Sequence, residues 1–402
     1  MGEIGEVTVV GGGVAGLVAA TVCAEGGAPV RLLEARRELG GRGRSSAPPY
    51  VANFGPHVLY ANGELHRFLR ERGLLPALSR PARGPFRFRA GGRLRRMPPR
   101  ALAAAIVRLW RVPAAPDDVD FRSWAAARAG EAGAELLARS AGVFSFHHDP
   151  GALSAAFVWA RWRQAFLDLP PKARYPTGGW GAVVARLEQG ARERGVAIET
   201  GARVGELPPG PVVVATELPE AARLLGDERV AWSGGATVAL DLGLRRAGRE
   251  DPFAVWDLDE SGWVERFTAC DATLAPDGEE LVQAQMPLRP GESPDACEAR
   301  LEALLDVGLG DGWRGRTTFR RRMVLDDRSG AVDLPGTSWR DRPAIDRGDG
   351  RFLAGDAVAA PGLLSDPAVA SAVLAARGAL AWRAGGGAPG YDAGLRAAIS
   401  RL

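Results

Sequence analysis

Three glycines and one carboxylate carry the most specific chemistry in this chain. Gly11, Gly13 and Gly16 form a G-x-G-x-x-G run, and Glu34 lies 18 positions beyond the last of them. Gly11 permits a tight turn. Gly13, with Val14 and Ala15, opens a helix whose free N–H groups and positive dipole end suit a pyrophosphate. Gly16 lets helix and strand pack closely. Glu34 can accept both hydroxyls of an adenosine ribose, and an acid there favours a free 2′-hydroxyl over a 2′-phosphate. The elements needed to position these groups are present. Residues 7–10 (VTVV) are a β-branched run that predicts a buried parallel strand. An apolar helical pattern follows Gly16, and residues 30–33 predict a second strand that ends at Glu34. Strand, turn, helix, strand and terminal acid agree on dinucleotide binding, which a glycine run alone would not establish.

The next residues narrow the cofactor. Glu34, Ala35 and Arg36 lead to Gly40-Gly41-Arg42, an E-x-R-x-x-x-G-G-R run. This run resembles the flavoprotein superfamily of amine oxidases, protoporphyrinogen oxidases and phytoene desaturases. The resemblance implies FAD rather than NAD, with the Gly-Gly-Arg turn against the pyrophosphate. Gly55-Pro56-His57 is similar to the family segment that passes under the flavin. His57 could tune the ring or relay a proton there, or serve as a hydrogen-bonded structural histidine. Tyr175-Pro-Thr-Gly-Gly-Trp180 is similar to the segment before the helix that returns the chain to the FAD domain. Residues 196–204 resemble the strand whose backbone pairs with the adenine, which makes Val204 a candidate contact. Near the other end, a strand closes on Gly355-Asp356, and Gly362, Leu363 and Leu364 lead into a helix. Asp366 reads as its N-cap and Pro367 as its first residue. In the family this Gly-Asp carboxylate binds the ribityl or pyrophosphate end. The helix points at the flavin pyrimidine, where its dipole stabilises the anionic reduced ring. The stretch GDAVAAPGLLSDPAVASA is most similar to phytoene-desaturase-like proteins. The resemblance covers residues 7–57, 175–216 and 351–382 well, and the middle loosely.

These segments predict an α/β protein: a Rossmann-type FAD-binding domain with a mixed parallel sheet, interleaved with an α+β substrate domain. The FAD-binding parts are 1–75, 176–216 and 336–402. Residues 76–175 read as a helical insertion and 217–335 as a substrate domain built on an antiparallel sheet. Within the insertion, residues 85–98 alternate around Gly91-Gly92 as a β-hairpin would, and they are arginine-rich. An apolar helix, 101–110, follows. Such a pairing can sit on an anionic membrane surface, and the plainer reading is a solvated hairpin above a core helix. Residues 121–146 predict one helix, closed by His147-His148-Asp149-Pro150. Adjacent histidines rarely converge on one ion, so no metal site is assigned. Aromatic residues at helical spacing in 154–166 fit a cavity wall or plain core.

Composition bounds the rest. The chain has 402 residues, 46% hydrophobic and 25% charged, with a net charge of +3. That suits a globular protein of intertwined subdomains. Only Lys172 of the 51 basic residues is lysine, and no basic stripe alternates with aromatics, so nucleic acid is not an expected partner. Cys23, Cys270 and Cys297 are odd in number and widely spaced, which points to a reducing cytoplasm. No secretory leader and no apolar run of membrane-spanning length is expected. The function implied is oxidation of a small apolar substrate, with hydride passing to flavin N5 and oxygen or a quinone as the electron acceptor. Amine oxidation is the first alternative. Many members of that branch hold a lysine by water to N5, whereas residues 317–325 carry Arg320, Arg321 and Arg322. A non-redox flavin-dependent isomerase or cyclase is the second. Catalytic side chains remain unassigned beyond His57.

Overall fold

The computed structural model describes residues 5–55, 57–168, 170–247 and 251–385. Pro56, one of the expected cofactor contacts, lies outside the described residues. The N-terminal β-branched run forms strand Val7–Val10 at the centre of a five-stranded sheet. Across the sheet the order is Arg351–Leu353, Val212–Val214, Val7–Val10, Val30–Glu34, Ala197–Thr200, and every pairing is parallel. Val7, Val9, Val212, Val213 and Val214 are all fully buried. Continuous rather than alternating burial is what helix-covered parallel strands require, and each such valine contributes about 1.5–3 kcal/mol. Helices Val14–Glu25, Trp180–Glu193 and Asp366–Arg383 supply the cover.

A second, seven-stranded sheet carries the middle of the chain. Its order is Thr317–Leu325, Thr237–Arg245, Glu279–Pro287, Trp263–Arg266, Ala254–Asp257, Phe86–Ala90, Arg93–Arg95. All pairings are antiparallel except Ala254–Asp257 with Phe86–Ala90. The arginine-rich hairpin therefore extends the same sheet that residues 237–325 build. A small three-stranded sheet, Leu59–Tyr60, Ala173–Pro176 and Leu78–Ser79, joins the two halves.

Several expected elements end elsewhere, each for a local reason. The predicted single helix over 121–146 is three: Phe121–Ala129, Glu131–Ser140 and Gly142–Ser145. Gly130 breaks it with φ +80°, a backbone state open to glycine, and Phe146 stops it at φ +53°. Asp366 is not the N-cap of its helix; Ser365 is, and offers no side-chain cap. Asp366 turns instead to a neighbouring helix, Glu64–Glu71, whose own N-cap is Gly63, and accepts the Glu64 N–H at 2.8 Å. Burial pushes its carboxyl up to about 6. Trp159 and Trp162 are buried core: their indole N–H groups donate to the Val112 carbonyl and the Ser140 hydroxyl, both at 2.9 Å. Asp149 pairs with Arg122 at 2.6 Å, and with His148 it walls a polar cleft of about 190 Å³.

Candidate functional site

Strands Val7–Val10, Val212–Val214 and Arg351–Leu353 all point their C-terminal ends at one edge of the parallel sheet, where open α/β sheets place ligands. Gly11 turns there with φ +106°, and a Cβ on it would lie 2.5 Å from the Ala215 carbonyl oxygen. A Cβ on Gly16 would lie 1.8 Å from the Gly11 carbonyl oxygen. Both positions therefore exclude any side chain. Gly13 differs: a Cβ there meets nothing within 4 Å. It precedes helix Val14–Glu25, which has no side-chain cap, so the first-turn N–H groups beside Val14 and Ala15 are left for a ligand or water. Gly40 donates to the Gly12 carbonyl at 2.7 Å, which brings Gly41 to within 3.6 Å of Gly13 when measured from a built Cβ. Two glycine backbones thus form the wall of a groove.

Glu34 is 9% exposed, and its two oxygens accept the N–H groups of Gly12 (2.7 Å) and Arg36 (2.8 Å). Each oxygen keeps a second lone pair for a ribose hydroxyl. Ala35 and Arg36 are exposed beside it, and the Arg36 carbonyl accepts from Gly201. Val204 lies past the strand, which ends at Thr200, and its carbonyl accepts from Arg223 at 3.0 Å.

The opposite end of the groove is closed by residues far apart in sequence. Arg42 donates to the Asp356 carboxylate at 2.7 Å and to the Arg328 carbonyl at 2.8 Å. Burial alone would raise the Asp356 carboxyl, but the Arg42 charge and hydrogen bond outweigh it and hold it below the ordinary range. Ser371 fastens Gly355 through both its N–H and its carbonyl. Buried Arg342 grips Asp333 with three bonds of 2.8–3.0 Å and donates to the Asp356 carbonyl at 3.3 Å. Gly362 (φ +116°) and Leu364 (φ +58°) shape the tight turn around Leu363 that starts helix Asp366–Arg383.

Gly55 packs so closely on the Gly-Gly-Arg turn that a Cβ would sit 2.8 Å from the Arg42 carbonyl oxygen. This sets Gly55 against the Gly-Gly-Arg turn of the parallel-sheet domain. Asn53 organises the residues around it. Its Oδ1 accepts from the Trp180 backbone N–H at 3.0 Å and from the Ser45 hydroxyl at 2.7 Å. A backbone N–H only donates, so that atom is the amide oxygen and the other is the NH2 group. The Nδ2 of Asn53 therefore donates to Nδ1 of His57, 3.1 Å away. His57 is left as the neutral tautomer with its proton on Nε2. Burial, opposed by Gln283 and reinforced by the Arg321 charge, lowers His57 to about 3. Its ring stacks on Phe267 at 4.0 Å, and Nε2 is buried without an acceptor in hydrogen-bond geometry.

Arg321 meets Asn53 from the other sheet. It donates to the Asn53 carbonyl at 2.9 Å and to Asp241 at 2.8 Å, and lies 4.1 Å over the Phe54 ring. Gln283 holds the other Asp241 oxygen at 2.6 Å. Nη1 of Arg321, like Nε2 of His57, is buried and unpartnered. Strand alternation separates Arg321, which points inward, from Arg320 and Arg322, which point outward to Glu298 and Glu302 and to Asp295 and Glu298. A third buried group, Glu265, accepts from the Tyr175 hydroxyl at 2.5 Å and from the Trp263 indole at 2.9 Å, and burial raises it to about 7. Tyr175 in turn touches Phe267, the ring on which His57 stacks.

Asn53, Asp241, Glu265, Gln283, Asp333 and Arg342 were not singled out by motif. The signal available was an acid inside an otherwise apolar strand: ATVALDL around Asp241 and WVERF around Glu265.

The comparisons agree with this geometry. A family model for an NAD(P)-binding Rossmann-like domain matches residues 9–72. No curated protein sequence matches the chain. Among solved structures, the chain is similar to an oxidoreductase from Methanosarcina mazei, with TM-score 0.72, 16% identity, and 92% of this chain and 99% of that one covered. It is similar to cyclohexylamine oxidase from Brevibacterium oxydans, with TM-score 0.68, 17% identity and 94% and 98% covered. It is also similar to reduced UDP-galactopyranose mutase, with TM-score 0.68, 13% identity and 94% and 96% covered. At these identities the likeness is one of fold.

Two predictions follow from the buried network. Between pH 4.5 and about 7 the native Glu265 holds a proton that the unfolded chain has released. Stability should therefore fall as pH rises through that window and level off above it. Glu265→Gln removes this dependence, because its NH2 group donates to Tyr175 while its carbonyl accepts from Trp263. Thermal melts at pH 8 should show the variant more stable by up to about 3 kcal/mol; identical pH profiles would refute the assignment. The second concerns Asn53→Asp. A carboxylate keeps the Trp180 and Ser45 bonds but presents an acceptor to His57 Nδ1. The 15N spectrum of His57 should change from a proton on Nε2 to a proton on Nδ1. An unchanged spectrum would show that Asn53 does not set the tautomer.

Proposed function

We propose that this chain is an FAD-dependent oxidoreductase acting on a small substrate with an apolar body, with oxygen or a quinone as the final electron acceptor. The observation that carries this reading is the Arg42–Asp356 pair. It closes a groove whose other walls are glycine backbone, an uncapped helix N-terminus and a ribose-facing acid. That donor and acceptor set fits a dinucleotide whose pyrophosphate lies over Gly13 and Gly41 and whose adenosine ribose meets Glu34. When bound, FAD supplies the hydride-accepting N5 and the redox chemistry.

The chain's own residues do the positioning. Asn53 and Gly55 set the loop that carries His57. His57 stays neutral and offers an Nε2–H donor, and Arg321 offers a second donor and a fixed positive charge beside it. The Nε2–H of His57, which Gln283 also approaches, and the unpartnered Nη1 of Arg321 suit a carbonyl oxygen or a developing negative charge on an acceptor-rich ring. Phe267, Tyr175 and Trp263 line the adjoining region and exclude water. Amine oxidation is the less favoured reading because the inward-facing cation is Arg321, whose charge is permanent, where many members of that branch hold a lysine.

The purified protein should be yellow and release FAD on heat denaturation. Apo-protein titrated with FAD should show affinity falling about 10- to 100-fold for Glu34→Ala, the cost of unpaired hydroxyls. Asp356→Ala should be more severe than Asp356→Asn, which keeps the shape and loses only the charge. Equal dissociation constants across wild type and these variants would sink the cofactor assignment. The reaction class is read separately: anaerobic mixing with a substrate should bleach the flavin stoichiometrically. Turnover only with pre-reduced flavin would instead establish isomerisation.

A further inference from the structure

Residues 76–116 contain ten arginines and not one aspartate or glutamate. They form the terminal hairpin of the seven-stranded sheet and helix Arg100–Leu109. The helix buries Leu102, Ala105 and Leu109 on one side. Its outer side carries Val107 (69% exposed) and Trp110 (52%), flanked by exposed Arg100, Arg108 and Arg111. Strand Arg93–Arg95 is exposed throughout, with Leu94 at its centre, and Met97 just beyond it is 74% exposed. Of the seven large apolar side chains exposed among the described residues, four lie on this one stretch. Scattered single exposures need no explanation, but four within one acid-free stretch do; the carboxylates beside the hairpin, Asp257 and Asp259, are taken up by Arg89 and by the Gly91 and Gly92 N–H groups.

Arginines on an edge strand can serve simply to block edge-to-edge pairing. That accounts for Arg93 and Arg95. It does not account for Met97, Val107 and Trp110, which an edge-protecting surface would keep polar. The acids on the neighbouring helix Pro294–Leu309 do not cancel the charge, since Glu298, Glu302 and Asp306 are already paired with Arg320 and Arg314. Among the described residues no helix is long and apolar enough to cross a membrane. Apolar side chains ringed by arginine, on a short amphipathic helix, fit insertion to the depth of the headgroups.

We propose that the hairpin and helix spanning residues 86–111 dock on an anionic lipid bilayer, with Met97, Val107 and Trp110 entering the interface and the arginines on the headgroup phosphates. The charge complementarity selects the occupant, and the apolar side chains select a bilayer over a polyanion in water. This inference stands apart from the cofactor reading and is tested without activity. The full-length protein should co-sediment with phosphatidylglycerol-containing vesicles and not with pure phosphatidylcholine vesicles, and binding should weaken as salt rises. Arg93→Gln/Arg96→Gln/Arg111→Gln should weaken partitioning ~100-fold. Val107→Asp/Trp110→Ser should weaken it at least about tenfold. All five positions are exposed, so thermal midpoints should match wild type and separate lost docking from lost folding. Failure to bind phosphatidylglycerol vesicles, or variants that bind as wild type does, would overturn the proposal. Duplex DNA binding that survives Val107→Asp/Trp110→Ser while vesicle binding is absent would reassign the surface to a nucleic acid.

Discussion

A single side-chain amide, that of Asn53, fixes the relation between the two halves of this molecule. Its oxygen is held by the start of helix Trp180–Glu193 and by Ser45, its nitrogen holds His57, and its backbone carbonyl takes Arg321 from the far sheet. None of these bonds need be worth more than about 1–3 kcal/mol. Their importance is directional. An amide with one end committed to a backbone donor has no freedom at the other end, so the orientation of Trp180 dictates which nitrogen of His57 carries a proton. A peptide N–H in the parallel-sheet domain thereby determines a hydrogen-bonding role between the domains. Gly179, with φ +78°, makes this possible: a Cβ there would lie 2.9 Å from the Asn53 oxygen and push the loop away.

Buried charge repeats the pattern. Asp241–Arg321 and Asp333–Arg342 both lie at the junction, and removing such groups from water costs several kcal/mol per ion before their attraction offsets it. Apolar residues of similar volume often take the place of such pairs at no loss of stability, so stability alone does not account for them. What the pairs provide is fixed geometry: Arg342 reaches the Asp356 carbonyl, and Arg321 reaches the Asn53 carbonyl. Each guanidinium is planar and offers several donors, so one arm can bind its acid while another holds backbone. Lysine could not hold both at once in a set plane, which gives a physical reason for arginine at these positions beyond the chain's general preference for it.

How much of this was legible in the sequence follows from what each residue needs. Gly11 and Gly16 are legible because backbone approach forbids any other residue at those places, and the strand–helix–strand around them has a local period. Arg42 and Asp356 are legible singly, as ends of two recognisable segments, but their pairing is a fact of sheet order, since only Val212–Val214 separates Arg351–Leu353 from Val7–Val10. Asn53 gave no signal, because polar residues in a loop are unremarkable until their partners are known. Arg321 was visible only as one of three arginines, and the alternation of an edge strand was needed to separate it from its neighbours. Asp366 misled because a local rule, acid before proline at a helix start, was satisfied by a residue whose carboxylate serves another helix. The break at Gly130 was missed for the opposite reason: the apolar pattern continues through it, and backbone geometry rather than periodicity ends the helix.

The seven-stranded sheet also explains why the molecule needs two unlike edges. One edge strand, Thr317–Leu325, turns Arg321 inward to the domain junction and covers its outward arginines with acids from helix Pro294–Leu309. The other, Arg93–Arg95, has no such cover and lies exposed. Strand Trp263–Arg266, which bears Glu265, stands between them, separated from the exposed hairpin only by Ala254–Asp257. Arginine serves both edges through the same chemistry with opposite results. Where carboxylates are near, it is neutralised and becomes structure. Arg89 is neutralised in this way by Asp257, whereas the charge of Arg93, Arg96 and Arg111 stays available to whatever approaches from outside. The difference between an internal brace and an external contact surface is therefore set by where this chain places its acids, more than by where it places its arginines.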